Sequence, residues 1–317
     1  MRPFLLHIIC IVMLFSSCNW VNDDLSDCPT GTWLKISYTY NILDVDAASS
    51  QVGDITIFAF DKNNKYVDRL DVDSIALHQG YCMVRVPFPE GSYHLLLWGG
   101  ASDRQYRFPY LKTGQTERKS LLLSLICNSE KQMNGKLNGL FYGSLENITI
   151  SNDYQVLDGP LVKNTNYFSC ILQDDNNLLN QEDFTFTLEA ANGVMDHTNT
   201  PLGTEPVYYR PYRQEVSILD EEETPVIHAR LNTLRIMKGD QTTLTIKHVP
   251  SGQEILRLPL TQYLLLSKIH SHTGDEMGDQ EYLDRFIHPF ILHTVIGYGD
   301  SEDMPENNGK RMDRKAE

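Results

Sequence analysis

The chain has 317 residues, enough for two domains of ordinary size. It carries 27 basic against 42 acidic residues, a formal net charge of −15. That balance argues against nucleic acid or anionic lipid headgroups as partners, since both need a broad positive face. It keeps the protein soluble and names no partner by itself.

Taken in chain order, the first element is a leader over residues 1–17. Arg2 supplies a positive charge, Phe4 to Phe15 form a short apolar run, and the small residues Ser16 and Ser17 follow. This is the composition of a secretory signal peptide. Its apolar run is about half the ~20 residues that a membrane-spanning helix needs. Cys18 stands directly after the small pair, as the acylated cysteine of a bacterial lipoprotein does. We therefore expect cleavage before Cys18 and lipid (diacylglycerol, with palmitate or a similar chain on the amine) at that residue. Phe15 occupies a position where Leu is usual. Several acyl chains hold a protein essentially permanently, because each buried methylene adds ~0.8 kcal/mol. Residues 18–30 then read as an acidic tether with Asp23, Asp24 and Asp27. The stretch resembles the surface-export signal of Bacteroidetes lipoproteins. The expected location is the outer membrane, lipid-anchored and surface-exposed, with the periplasmic face as the alternative.

Six cysteines are present. Cys10 leaves with the leader and Cys18 is committed to lipid. Cys28, Cys82, Cys127 and Cys170 remain as candidates for disulfides in an oxidising compartment, in any of three pairings, with buried free thiols as the alternative.

Beyond the tether the dominant period is two. Strands are expected at Trp33–Tyr40, Asp54–Asp61, Tyr66–Leu70, Gly80–Val86, Ser92–Trp98, Leu121–Cys127 and Leu145–Ile150. Asp61-Lys62-Asn63-Asn64-Lys65 is turn chemistry between two of them. A boundary falls near Leu157 to Asn166. The pattern resumes at Phe184–Glu189 and at Val207–Val216, which Pro211 interrupts. Val226–Lys238 and Gln241–His248 are expected to form a pair joined by Gly239-Asp240, with Gln253–Leu260 after the turn Pro250-Ser251-Gly252. No long amphipathic helix is expected. The fold class is all-β, two β-sandwich domains in tandem over residues 31–160 and 161–296. Residues 297–317 read as a disordered polar tail.

No catalytic constellation emerges, and no enzymatic activity, cofactor or metal is expected. His270 and His272 with Asp275 and Glu276 match no metal-ligand spacing. The loop from Asp61 lacks the glycine of a calcium loop and has Val72 where the bidentate Glu belongs. Asp73-Ser74-Ile75 resembles the Asp-Ser/Thr-aliphatic site of Bacteroidetes O-glycosylation, which makes Ser74 a candidate for modification.

Several segments carry a more specific likeness. They are Asp27-Cys28-Pro29, Tyr38-Thr39-Tyr40-Asn41, Ser50 to Asp61, Pro89 to Tyr93 running into Trp98-Gly99-Gly100, Leu258 to Leu266, and Tyr282-Leu283-Asp284-Arg285. In this order behind a lipidated cysteine, over roughly residues 18 to 285, the chain resembles the FimB-like lipoproteins, anchoring and minor subunits of Bacteroidales type V pili. The resemblance implies transthyretin-like sandwiches and an anchor or minor structural subunit of a cell-surface pilus, acting in cell adhesion. It implies partnership with other pilus subunits by strand addition, with the outer membrane through the N-terminal lipid, and with no nucleic acid. After Arg285 the chain departs from the family pattern. Phe286–Ile296 forms at most one edge strand because of Pro289, so an opening for an incoming strand is expected there. A surface glycan-binding lipoprotein is the alternative reading.

Overall fold

A computed structural model of the chain describes residues 29–41, 46–73, 77–78, 81–101, 104–174, 179–203, 205–219, 224–268, 277–285 and 290–296. The first twelve strands are β1 (Thr32–Ser37), β2 (Ile55–Asp61), β3 (Tyr66–Val72), β4 (Leu77–His78), β5 (Tyr81–Arg85), β6 (Gly91–Gly99), β7 (Tyr106–Arg107), β8 (Leu123–Leu125), β9 (Gln132–Met133), β10 (Phe141–Ile150), β11 (Gln155–Pro160) and β12 (Val162–Lys163). Nine more follow: β13 (Thr165–Asp174), β14 (Phe184–Ala190), β15 (Val194–Met195), β16 (Val207–Tyr209), β17 (Arg213–Leu219), β18 (Thr224–Leu234), β19 (Thr243–His248), β20 (Glu254–Pro259) and β21 (Phe290–Ile296). Helices are short: α1 (Ala48–Gln51), α2 (Leu260–Lys268) and α3 (Asp279–Asp284).

Two sandwiches result. In the first, the sheet β11-β1-β5-β4 faces the sheet β12-β10-β6-β2-β3. Leu34, Ile36, Cys82 and Val84 meet Ile55, Ile57, Leu95 and Leu97 between them. In the second, β17-β18-β13-β21 faces β20-β19-β14-β16-β9. Phe168, Cys170, Leu172, Ala229 and Leu231 pack there against Phe186, Leu188, Leu244 and Ile246. A small sheet, β15-β8-β7, lies outside both.

The strand β2 explains the architecture. Its alternation sends Ile55, Ile57 and Ala59 into the first core and leaves Thr56, Phe58 and Phe60 on the other face. Yet Phe58 and Phe60 are as buried as the first set. The second face of this sheet is covered in turn: Phe58 and Trp98 stack on Phe108, and Trp98 on Tyr142. Leu121, Leu123, Leu137 and Leu140 belong to the same cluster. A sheet covered on both sides reads as a near-continuous apolar run, as in the buried stretch Tyr93–Gly99 of β6.

Gly100 closes the turn after β6. Its φ is +70°, and a Cβ there would sit 1.9 Å from the Gly139 carbonyl oxygen. Only glycine fits both the left-handed backbone and the close approach. The loop from Asp61 is a turn, with the Asp61 carboxylate accepting from the Asn63 and Lys65 amides and Asn64 at φ 60°.

Two expectations are corrected. Val226–Lys238 and Gln241–His248 do not form a hairpin, because β18 and β19 lie in opposite sheets of the second sandwich. The buried Asn192 amide donates to the Leu234 and Arg235 carbonyls at 3.0 and 3.1 Å, satisfying oxygens that leave the ladder as the chain crosses over. Likewise Val207–Val216 is two strands, β16 and β17, in opposite sheets. Pro211, which has no amide proton to give a ladder, stands at the crossing. The expected boundary near residue 160 is crossed in both directions. Val162–Lys163 pairs with β10 in the first sandwich, while Gln132–Met133 pairs with β16 in the second.

Candidate functional site

Polar side chains concentrate where the two sandwiches meet. The Arg235 guanidinium, beyond the end of β18, grips the Asp284 carboxylate with two parallel bonds of 2.8 and 2.6 Å. Both side chains are nearly buried. Arg235 also donates to the Asn199 carbonyl, and Gln280 donates to Asp284 at 3.0 Å. Asn199 and Asn164 exchange reciprocal amide bonds of 2.6 and 3.0 Å. A charge pair removed from water is tolerable only when its remaining hydrogen-bond positions find partners, and here Asn199 and Gln280 supply them on either side.

One residue further, Arg285 donates twice to the Asn41 carbonyl, at 3.2 and 3.0 Å. Its guanidinium lies 5.3 Å from the Tyr40 ring centre and it pairs with Glu281. The segments Tyr38–Asn41 and Tyr282–Arg285, 244 residues apart at their contact, are thus fastened together. Sequence reasoning singled out both segments and missed that they touch. It also missed Asn164, Asn199 and Arg235, which carry no local signal.

The free sheet edges are the second feature. β21 pairs with β13 in parallel and, among the described residues, has no strand on its other side. The position beside β13, where an opening is expected, is therefore filled by the chain's own segment, and the edge moves out to β21. Leu292 points into the core, while Ile291 is 52% exposed.

The remaining candidates disperse. Cys18, Cys28, Ser74, the tether residues Asp23, Asp24 and Asp27, and His270, His272, Asp275 and Glu276 lie outside the described residues. Cys82, Cys127 and Cys170 are free thiols. Burial pushes all three thiols up, Cys170 to about 12, which keeps them protonated and unreactive. Trp98 is buried in the core and Trp33 is half-buried.

The described residues form a double-sandwich, all-β protein whose junction is pinned by Arg235–Asp284 and Arg285–Asn41. The chain belongs to the family of fimbrillin-A associated anchor proteins Mfa1 and Mfa2, whose model matches residues 25–303. It is 21% identical over 257 residues to the minor fimbrium anchoring subunit Mfa2 of Porphyromonas gingivalis, covering 80% of this chain and 77% of that protein. The solved structure of that anchor, 20% identical, superposes with a TM-score of 0.63 over 84% of this chain and 91% of the other. A proposed adhesin of Bacteroides thetaiotaomicron, 28% identical, gives 0.72 over 86% and 93%. A proposed polysaccharide-binding protein of the same species, 25% identical, gives 0.72 over the same shares. Membership implies a structural role at the cell surface with other pilus subunits as partners. No helix among the described residues is long and apolar enough to cross a membrane.

Proposed function

We propose that this protein is an outer-membrane lipoprotein, held by lipid on Cys18 and displayed on the cell surface, that anchors a pilus by accepting a strand from the neighbouring subunit. The observation that carries this reading is the family match over residues 25–303 directly behind the leader and Cys18. An N-terminus committed to lipid is not free to serve as a donor strand, which leaves the role of acceptor. The edge of β21, which has no neighbouring strand among the described residues, supports that role, because an open edge is a template for main-chain pairing. Ser74 is proposed as a glycosylation site, and of the disulfides open to Cys28, Cys82, Cys127 and Cys170 those that involve Cys28 are the ones proposed, since the other three do not bridge one another.

Cys18→Ala should move the protein from the membrane to the soluble fraction. Retention in detergent micelles with the acyl mass intact would refute the lipid anchor. For strand acceptance, a peptide copied from the neighbouring subunit should bind at low and high salt alike. Backbone pairing outlasts the shrinking of the Debye length to ~3 Å at 1 M.

A further inference from the structure

The outer face of the β17-β18-β13-β21 sheet carries a cationic cluster in a chain whose net charge is −15. Arg213 and Arg230 are direct register partners, and Ser169 and Ile291 continue the same row. The next row runs Glu215, His228, Ile171, His293. Register partners share a face, and like charges set opposite one another across two strands are destabilising. Glu215 pairs with Arg213 at 2.7 Å, whereas Arg230 has no carboxylate partner among the described residues. Lys136 lies 5.9 Å from the Tyr212 ring at the edge of the row and adds a further cation. Hydroxyl, imidazole and amide groups stand alongside. Ser169 Oγ meets His228 Nε2, and His293 Nε2 meets Gln173 Oε1 at 3.1 Å. Burial, and then the two arginines, push the His228 pKa down, while Glu215 opposes them.

We propose that this face binds an acidic polysaccharide, with the Arg230 and Arg213 guanidinium groups taking uronate carboxylates and the neighbouring polar side chains taking sugar hydroxyls. A planar guanidinium fork matches a carboxylate in two parallel bonds. A repeating polyanion relieves the Arg–Arg repulsion that the folded chain otherwise carries. Arg213 is exposed at the β17 end of the row and Ile291 at the β21 end, while Ser169 between them is buried, so an extended polymer meets the face at the arginines of β17 and β18. The arginine pair lies on β17 and β18, and β13 separates it from the β21 edge proposed to accept a strand.

The test uses the full-length protein in detergent and three immobilised probes: polygalacturonate, neutral dextran and polyglutamate. Polygalacturonate alone should bind, and Arg230→Gln should weaken it about tenfold, the loss of roughly 1.4 kcal/mol. Arg213→Gln with Arg230→Gln should abolish binding, and Arg257→Gln on β20, in the opposite sheet, should leave it unchanged. Without ligand, Arg230→Gln should melt no lower than the native protein, since a repulsion has been removed. Undiminished binding by the double variant, absence of polygalacturonate binding, or equal capture by polyglutamate would each overturn the proposal.

Discussion

At the scale of single residues, Lys163 is the clearest conflict between charge and burial. It sits on β12 with only 8% of its surface exposed. Its Nζ donates to Gln51 at 3.1 Å and lies 5.2 Å from the Tyr167 ring. Burial drives its pKa from 10.5 down to about 8. The folded protein therefore holds this proton less tightly than the unfolded chain does. Above pH 10.5 both states are neutral and nothing is lost. As pH falls from 10.5 to 8 the unfolded chain takes the proton first and stability drops, and below 8 the loss stays constant. The full penalty is about 3 kcal/mol, offset in part by the Gln51 and Tyr167 contacts. Lys163→Met should thus stabilise the protein at pH 7 by roughly 1–3 kcal/mol in urea unfolding. The gain should shrink at pH 10. An equal gain at both pH values would show that packing, not charge burial, is responsible.

At the scale of elements, α3 holds the end of β18 through Asp284. Asp284→Ala leaves the Arg235 guanidinium buried against the Asn199 carbonyl alone, which should cost about 3–5 kcal/mol. Replacing the pair together, Arg235→Met with Asp284→Leu, should cost far less, because no stranded charge remains. Urea titrations of the single and double variants check this, and a double variant as damaged as the single one would mean that the pair contributes net stability. The segments Tyr38–Asn41 and Tyr282–Arg285 were visible in the sequence, but their meeting was not. A cation over a ring and two bonds to one carbonyl, 244 residues away in the chain, leave no periodicity to read. The strand pattern was more legible. Residues 253–260 return on β19 across the expected turn, and Phe290–Ile296 is the edge strand that the Pro289 argument required.

At the scale of the whole molecule, the two sandwiches are not independent beads. One apolar cluster runs from Phe58, Phe60 and Trp98 through Leu121, Leu123 and Leu140 to Phe168, Phe186 and Leu231. Strands β7 and β8 share a sheet with β15, and β9 with β16. Loss of either sandwich strips cover from the other, so unfolding should be one cooperative event. Calorimetry should give a single transition with matching calorimetric and van't Hoff enthalpies. Two resolved transitions would mean that the shared cluster couples the halves only weakly.

The sequence by itself marked many of the strands and turns, because a two-residue period and the chemistry of residues such as Asp61–Asn64 act within a few positions of the chain, but β11 and β13 fall where it showed only a boundary. It also marked the all-β class and the pilus-anchor resemblance through an ordered series of short segments. Tertiary structure alone decided which strands pair. β18 and β19 are neighbours in sequence and opposites in space, and the Asn192 amide donates to the carbonyls that leave the ladder between them. It alone decided that both faces of β2 are buried, because a second layer from distant residues covers Phe58 and Phe60. And it alone set Arg213 opposite Arg230, since register is the sum of every pairing along a ladder and no single residue encodes it.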